Sequence, residues 1–131
     1  MLEGGCHCGA VRYEVTGEPN HVSVCHCTDC RRCAGATGVA WAGFPIENLS
    51  LSGDTAVYCS TLGVERRFCL ICGTGLFYTS AEAPAQVDIQ IATLDEPEEL
   101  PPTKHVQLAD AVGWEATLHE LPGHQRFPGQ D

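Results

Sequence analysis

The chain runs to 131 residues, 44% of them hydrophobic and 18% charged, which suits one folded globular domain and excludes a disordered chain. Seventeen acidic residues against seven basic ones leave a formal charge of -10, a surface that repels phosphate backbones, so no nucleic-acid partner is expected. No apolar run approaches the roughly 18 residues that cross a bilayer, and Met1-Leu2-Glu3-Gly4-Gly5-Cys6 has neither a basic nor an apolar leader character, so no membrane role is expected and a cytoplasmic location is.

In chain order, Cys6-His7-Cys8-Gly9 leads into a stretch where Val11, Tyr13 and Val15 alternate with polar residues, a half-buried strand. Gly17-Glu18-Pro19-Asn20 reads as a turn, and His21 to Cys25 as a second strand that delivers a cysteine cluster at its end. Residues 28–35 suit one short helical turn capped by Thr28 or Asp29. Strands are expected at Val39–Phe44, Leu49–Leu51, Ala56–Cys59, Val64–Cys69 and Leu76–Tyr78. Val87-Asp88-Ile89-Gln90-Ile91 alternates strictly and is the clearest strand of all. The acidic, proline-rich run from Leu94 to Pro102 cannot be a central strand. One last strand is expected over Lys104–Leu108, a weakly patterned segment over Ala109–Leu121, and a frayed tail beyond. About eight to ten short strands with little helix make an all-β fold of the sandwich or open-barrel kind.

Nine cysteines is an odd number for a framework of disulfides, and metal-held thiolates in a reducing compartment account for it better. Cys25, Cys27, Cys30 and Cys33 crowd into nine residues, with pairs at Cys6/Cys8 and Cys69/Cys72 on either side. Zinc takes four thiolates in a tetrahedron, and two short segments brought together supply them most easily. At i and i+2 on an extended segment, Cys6 and Cys8 point to one side and His7 faces away. Both pairs end in Cys-Gly, where a glycine at positive φ lets backbone N–H groups approach sulfurs that carry a net charge of about -2 around the ion. Cys6, Cys8, Cys69 and Cys72 are therefore a candidate closed site. Spacing alone leaves two other groupings open: Cys27/Cys30 with Cys69/Cys72, and the central four cysteines among themselves.

Three motifs in order carry a resemblance: Gly5-Cys6-His7-Cys8-Gly9-Ala10-Val11-Arg12-Tyr13, Cys25-His26-Cys27-Thr28-Asp29-Cys30-Arg31-Arg32, and Phe68-Cys69-Leu70-Ile71-Cys72-Gly73-Thr74-Gly75-Leu76. With Leu94-Asp95-Glu96-Pro97, Pro102-Thr103-Lys104-His105-Val106 and Trp114, the sequence resembles the glutathione-dependent formaldehyde-activating enzyme family, to which the centromere protein V domain also belongs. The resemblance implies a mainly β, Mss4-like (β-tent) fold of short antiparallel strands with two zinc ions per chain, in a single domain over 1–122 with 123–131 as a flexible tail. It also implies Cys6, Cys8, Cys69 and Cys72 as ligands of a structural zinc, and Cys25, Cys27 and Cys30 as ligands of a second, catalytic one. The implied activity is a carbon–sulfur lyase resembling S-(hydroxymethyl)glutathione synthase, with a small thiol and an aldehyde as partners and glutathione as a co-substrate. Arg31 and Arg32 are placed to meet carboxylates such as those of glutathione. A homodimer is compatible with all of this.

Two further readings stand beside the lyase. A binding module with both zincs structural would have Cys33 close the second site; a thiol redox protein would use a metal-free Cys30-Arg31-Arg32-Cys33. Among the remaining residues, Cys59 is expected as a buried small hydrophobe, and Trp41, Phe44, Phe77 and Trp114 as core. His26 is expected to point away from its neighbouring ligands, His105 to be a hydrogen-bonded structural residue, and His21, His119 and His124 to lie on the surface.

Overall fold

The structure, a computed structural model, describes residues 1–130. Strands β1 (Leu2–Gly5), β2 (Arg12–Val15) and β5 (Leu49–Ser52) form an antiparallel sheet in the order β1-β2-β5. The second sheet takes β3 (His21–Cys25), β4 (Val39–Pro45), β6 (Thr55–Thr61), β7 (Val64–Cys69), β8 (Gly75–Ser80), β9 (Gln86–Gln90) and β10 (Lys104–Val106). Its order is β10-β3-β4-β9-β8-β7-β6, antiparallel except where β10 runs parallel to β3. One seven-residue helix, α1 (Thr28–Ala34), follows β3. This is the mainly β, helix-poor architecture that the resemblance implies.

Alternation along the strands sorts the two faces of the large sheet. Val22, Ala42, Phe44, Leu76, Phe77, Val87 and Ile89 point into a shared core with Val11, Tyr13 and Val15 of the small sheet side. Tyr13 and Phe77 meet edge to face with ring centroids 5.2 Å apart. The alternate residues of the same strands, among them Ser23, Trp41, Tyr78 and Asp88, face the other way and build the functional side. Each fully buried side chain such as Phe44 or Ile89 contributes roughly 1.5–3 kcal/mol through removal from water.

Strand β1 carries no alternation in Leu2-Glu3-Gly4-Gly5, so nothing in the sequence announces it. It forms because β2 lies beside it and Tyr13 comes over Gly4. A Cβ at Gly4 would collide with the Tyr13 hydroxyl oxygen and stand 2.5 Å from the Thr93 carbonyl oxygen.

Three expectations are corrected. The helix cap is neither Thr28 nor Asp29 but Cys27, extended at φ -65 and ψ 154, whose sulfur accepts the Cys30 N–H at 3.2 Å. Cys59 is exposed rather than buried, because β6 is an edge strand with its middle turned to solvent. Trp114 is 58% exposed rather than core, since 113–120 is a run of 3-10 turns with no buried residue. Among the described residues no helix is long and apolar enough to cross a membrane.

Candidate functional site

Two cysteine clusters form. In the first, Cys6 and Cys8 follow β1, while Cys69 ends β7 and Cys72 lies in the turn before β8. All four sulfurs lie within 4.8 Å of one another, with Cys6–Cys8 at 3.6 Å and Cys8–Cys69 at 3.7 Å. Bonds of ~2.3 Å in a tetrahedron put sulfurs about 3.8 Å apart, so the set has the size of a zinc site. Its two halves are built alike. Gly9 and Gly73 have φ 83 and 80, and their N–H groups return to the carbonyls of Cys6 (3.2 Å) and Cys69 (3.0 Å). Backbone N–H groups reach the sulfurs from Val11 to Cys6 at 3.2 Å, and from Ile71 and Cys72 to Cys69 at 3.3 and 3.4 Å. Such donors offset thiolate charge, which is the chemistry a metal cluster needs.

Thr74 joins the halves. Its hydroxyl accepts the His7 N–H at 3.1 Å and donates to Cys72 Sγ at 3.2 Å. That hydroxyl, with the backbone N–H groups of Thr74 and Cys8, brings the Cys72 thiol down to about 5. The side chain of His7 takes no part in this cluster.

The second cluster comes from one short segment. Cys25 ends β3, Cys27 caps α1 and Cys30 turns inward from its first turn, the three sulfurs lying within 4.8 Å of one another. Cys33, one turn on, is exposed and outside this set. Burial pushes the Cys25 thiol up to about 12 and also raises Cys30. At Cys27 burial is outweighed by the Cys30 N–H, the neighbouring thiols and the Arg66 charge, which bring its thiol below the ordinary range.

These sulfurs form one wall of a cleft of about 250 Å³. Arg66, from β7, forms another: it is 9% exposed, its Nη2 is 3.6 Å from Cys30 Sγ, its Nε donates to Ser60 Oγ at 2.9 Å, and its guanidinium lies 5.1 Å from the centre of the Tyr78 ring. Tyr78 in turn meets Trp41 at 5.9 Å. Arg66 is the cleft residue that the sequence gives least reason to single out, since it stands well downstream of the cluster in an ordinary strand.

Arg31 and Arg32 do not line this cleft. Both border a shallow groove beside Gly35 and Thr37, where Arg31 Nε is buried without a partner among the described residues. Arg32 also lines a larger groove that shares Trp41 and Arg66 with the cleft. His21, expected on the surface, instead lines the cleft, its ring bonded to Asp88 and Ser23. His26 is 1% exposed, and its Nε2 lies 2.9 Å from His105 Nδ1.

Comparison with known proteins gives a consistent result. Residues 1–110 match the model of a family described as "Glutathione-dependent formaldehyde-activating enzyme". A Halomonas elongata protein named "Putative glutathione-dependent formaldehyde-activating enzyme" is 31% identical over 132 residues, covering 87% of this chain and 79% of that protein. An uncharacterized lyase of Schizosaccharomyces pombe is 32% identical over 84 residues, 63% of this chain and 61% of that one. A crystal structure of a Rhodobacter sphaeroides protein shares the fold, with a TM-score of 0.66 at 24% identity over 80% of this chain and all of that one.

Proposed function

The chain belongs to the glutathione-dependent formaldehyde-activating enzyme family, and from that premise we propose that it is a carbon–sulfur lyase, making and breaking the bond between a small thiol and an aldehyde as S-(hydroxymethyl)glutathione synthase does. The observation that carries this reading is the placement of Cys25, Cys27 and Cys30 on a cleft wall, with Cys33 outside the set. Three protein ligands leave a coordination position for a small molecule, whereas the four sulfurs of the first cluster close theirs. We assign a structural zinc to Cys6, Cys8, Cys69 and Cys72 and a second zinc to Cys25, Cys27 and Cys30. A zinc ion held by these three cysteines would supply a Lewis-acidic position for the thiol.

The chain's own residues do the rest. The cleft, about 250 Å³, lies just below the roughly 300–1,000 Å³ typical of ligand pockets, so it suits the reacting end of a thiol and a small aldehyde rather than a whole peptide. Arg66, set against the Tyr78 ring, gives it a fixed cation that can orient a polar group. For a thiol that carries carboxylates, such as glutathione, Arg66 stands inside and Arg32 stands on the groove continuing past it. Arg31 borders a separate groove beside Gly35 and Thr37.

Exchange spectroscopy on an equilibrium mixture of formaldehyde, glutathione and their adduct tests the reading. The zinc-loaded protein is expected to speed exchange above the buffer rate, and Cys27→Ser to abolish the acceleration. No acceleration by the wild type overturns it.

A further inference from the structure

The cleft holds a second set of chemically matched groups, on strands and apart from the cysteines. His21 and Ser23 alternate with core residues on β3 and so face the cleft in one row with Cys25. Asp88 faces it from β9. Strand β4 lies between, and its residue in register with both His21 and Asp88 is Gly43. Strands one removed are about 9–10 Å apart, so a direct bond across β4 is possible only over a position without a side chain. A Cβ at Gly43 would stand 2.5 Å from His21 Cδ2, 2.6 Å from Nε2 and 2.9 Å from Asp88 Oδ1. The glycine leaves that space free, and His21 Nε2 reaches Asp88 Oδ1 at 2.7 Å. Gln86 Nε2 donates to the same oxygen at 3.1 Å and fixes the carboxylate.

The bond to Asp88 sets the tautomer. Nε2 carries the proton and donates it to the carboxylate, which leaves the Nδ1 lone pair for the Ser23 hydroxyl, 3.2 Å away. Ser23 is 3% exposed and lines the cleft. The result is a carboxylate–imidazole–hydroxyl chain ending at the cavity that the three cysteines also face. The other titratable groups facing it are Arg66 from β7, Tyr78 from β8 and Asp29 from α1; β10 contributes only Val106, followed by Gln107.

We propose that Ser23, His21 and Asp88 form the proton relay of the thiol–aldehyde reaction, a proposal that rests on the lyase reading above. Breaking the adduct removes a proton from its hydroxyl oxygen, and making it returns one. In breakdown the adduct O–H bond breaks and its proton passes to Ser23 Oγ, while the Ser23 proton moves to His21 Nδ1. The oxygen pair closes to C=O, the carbon–sulfur bond breaks and its electron pair leaves on sulfur. His21, now an imidazolium paired with Asp88, returns the proton to the departing thiol. Formation runs the same steps backwards. Ser23 is the catalytic residue, because it touches the reacting oxygen. His21 and Asp88 act through it, as proton holder and positioning residue.

The test uses zinc-loaded wild type, His21→Gln and Asp88→Asn, with zinc content and glutathione affinity measured on each. His21→Gln is expected to slow adduct exchange by about 100-fold or more, with zinc content held near wild type. Asp88→Asn removes the carboxylate that holds the His21 ring in place and is expected to slow exchange as well, with zinc content unchanged. Calorimetry of glutathione binding in two buffers of different ionisation enthalpy gives a readout independent of turnover. Wild type passes the thiol proton to His21 and releases close to none, while His21→Gln releases about one. A His21→Gln protein that exchanges at the wild-type rate, or releases the same number of protons, overturns the relay and leaves the lyase reading standing. A wild type that leaves exchange at the buffer rate overturns the lyase reading, and the proton count then decides whether the relay exists.

Discussion

Arg66 Nη2 lies 3.6 Å from Cys30 Sγ, a fixed cation against the inner wall of the three-cysteine cluster. Burial disfavours the guanidinium charge, but the Cys30 hydrogen bond and charge outweigh it and raise Arg66 further. The attraction is mutual, so Arg66 favours the thiolate form of the cluster. Arg66→Met is expected to weaken metal binding at Cys25/Cys27/Cys30 by about 10-fold or more while leaving the first cluster untouched. Competition against a chromophoric chelator, read as two separate affinities, checks this; equal loss at both clusters would contradict it.

Thr74 is the corresponding neighbour of the first cluster. Its hydroxyl is the largest cause of the low Cys72 thiol, which stands at about 5. A thiol depressed in this way keeps protons off the metal site until the solution is acidic; without the depression they compete at higher pH. Thr74→Val is therefore expected to release zinc from this cluster at a higher pH than wild type. A pH titration of zinc release on a Cys27→Ser background, which isolates the first cluster, measures the direction.

The two clusters differ in what their loss does to the fold. Structural zinc sites are worth roughly 10–16 kcal/mol at neutral pH, against about 5–15 kcal/mol for the net stability of a whole domain. The first cluster joins the segment after β1 to the β7–β8 turn, so Cys69→Ser is expected to leave no cooperative unfolding transition. Cys27→Ser, whose cluster lies within a single short segment, is expected to keep one. Thermal unfolding followed by circular dichroism separates them.

Gly43 supplies a fourth test. Alanine there would come within 2.9 Å or less of both His21 and Asp88 and push them apart. Gly43→Ala is expected to reproduce the Asp88→Asn phenotype, with adduct exchange slowed and zinc content unchanged. An exchange rate equal to that of wild type would separate Gly43 from the relay.

Much of the fold and of the site is legible in the residues themselves. Strict alternation at Val87 to Ile91 and at Val11, Tyr13 and Val15 marks the buried faces that are observed, although the strand ends at Gln90 and Ile91 opens the 3-10 turn that follows. The three cysteine motifs carry the family resemblance, and the two sulfur groupings that it implies are those that form, although spacing alone leaves two other groupings open. What stays hidden is non-local. No periodic signal marks β1, which owes its place to Tyr13 rather than to its own residues. Arg66 reaches Cys30 only through the register of β7. His21 reads as an ordinary surface histidine, since nothing in its neighbours tells that Gly43 and Asp88 will align across two strands. Cys59 and Trp114 mislead for the opposite reason: residue type favours burial, but an edge strand and a run of 3-10 turns offer no second layer to bury them.

Cys8 and Cys69 stand 61 positions apart in the chain with sulfurs 3.7 Å from each other, and Cys25, Cys27 and Cys30 all fall inside the loop that this contact closes. Under the proposed assignment the ions are nested rather than side by side. The first one tied off ends the wandering of the segment between, and loop closure of that length is entropically unfavourable without it. The inner ion needs no such closure, because its three sulfurs lie within one short segment. With four sulfurs against three, the outer knot should still fill first when zinc is titrated into the metal-free chain, so that supply of the metal governs assembly before it governs chemistry.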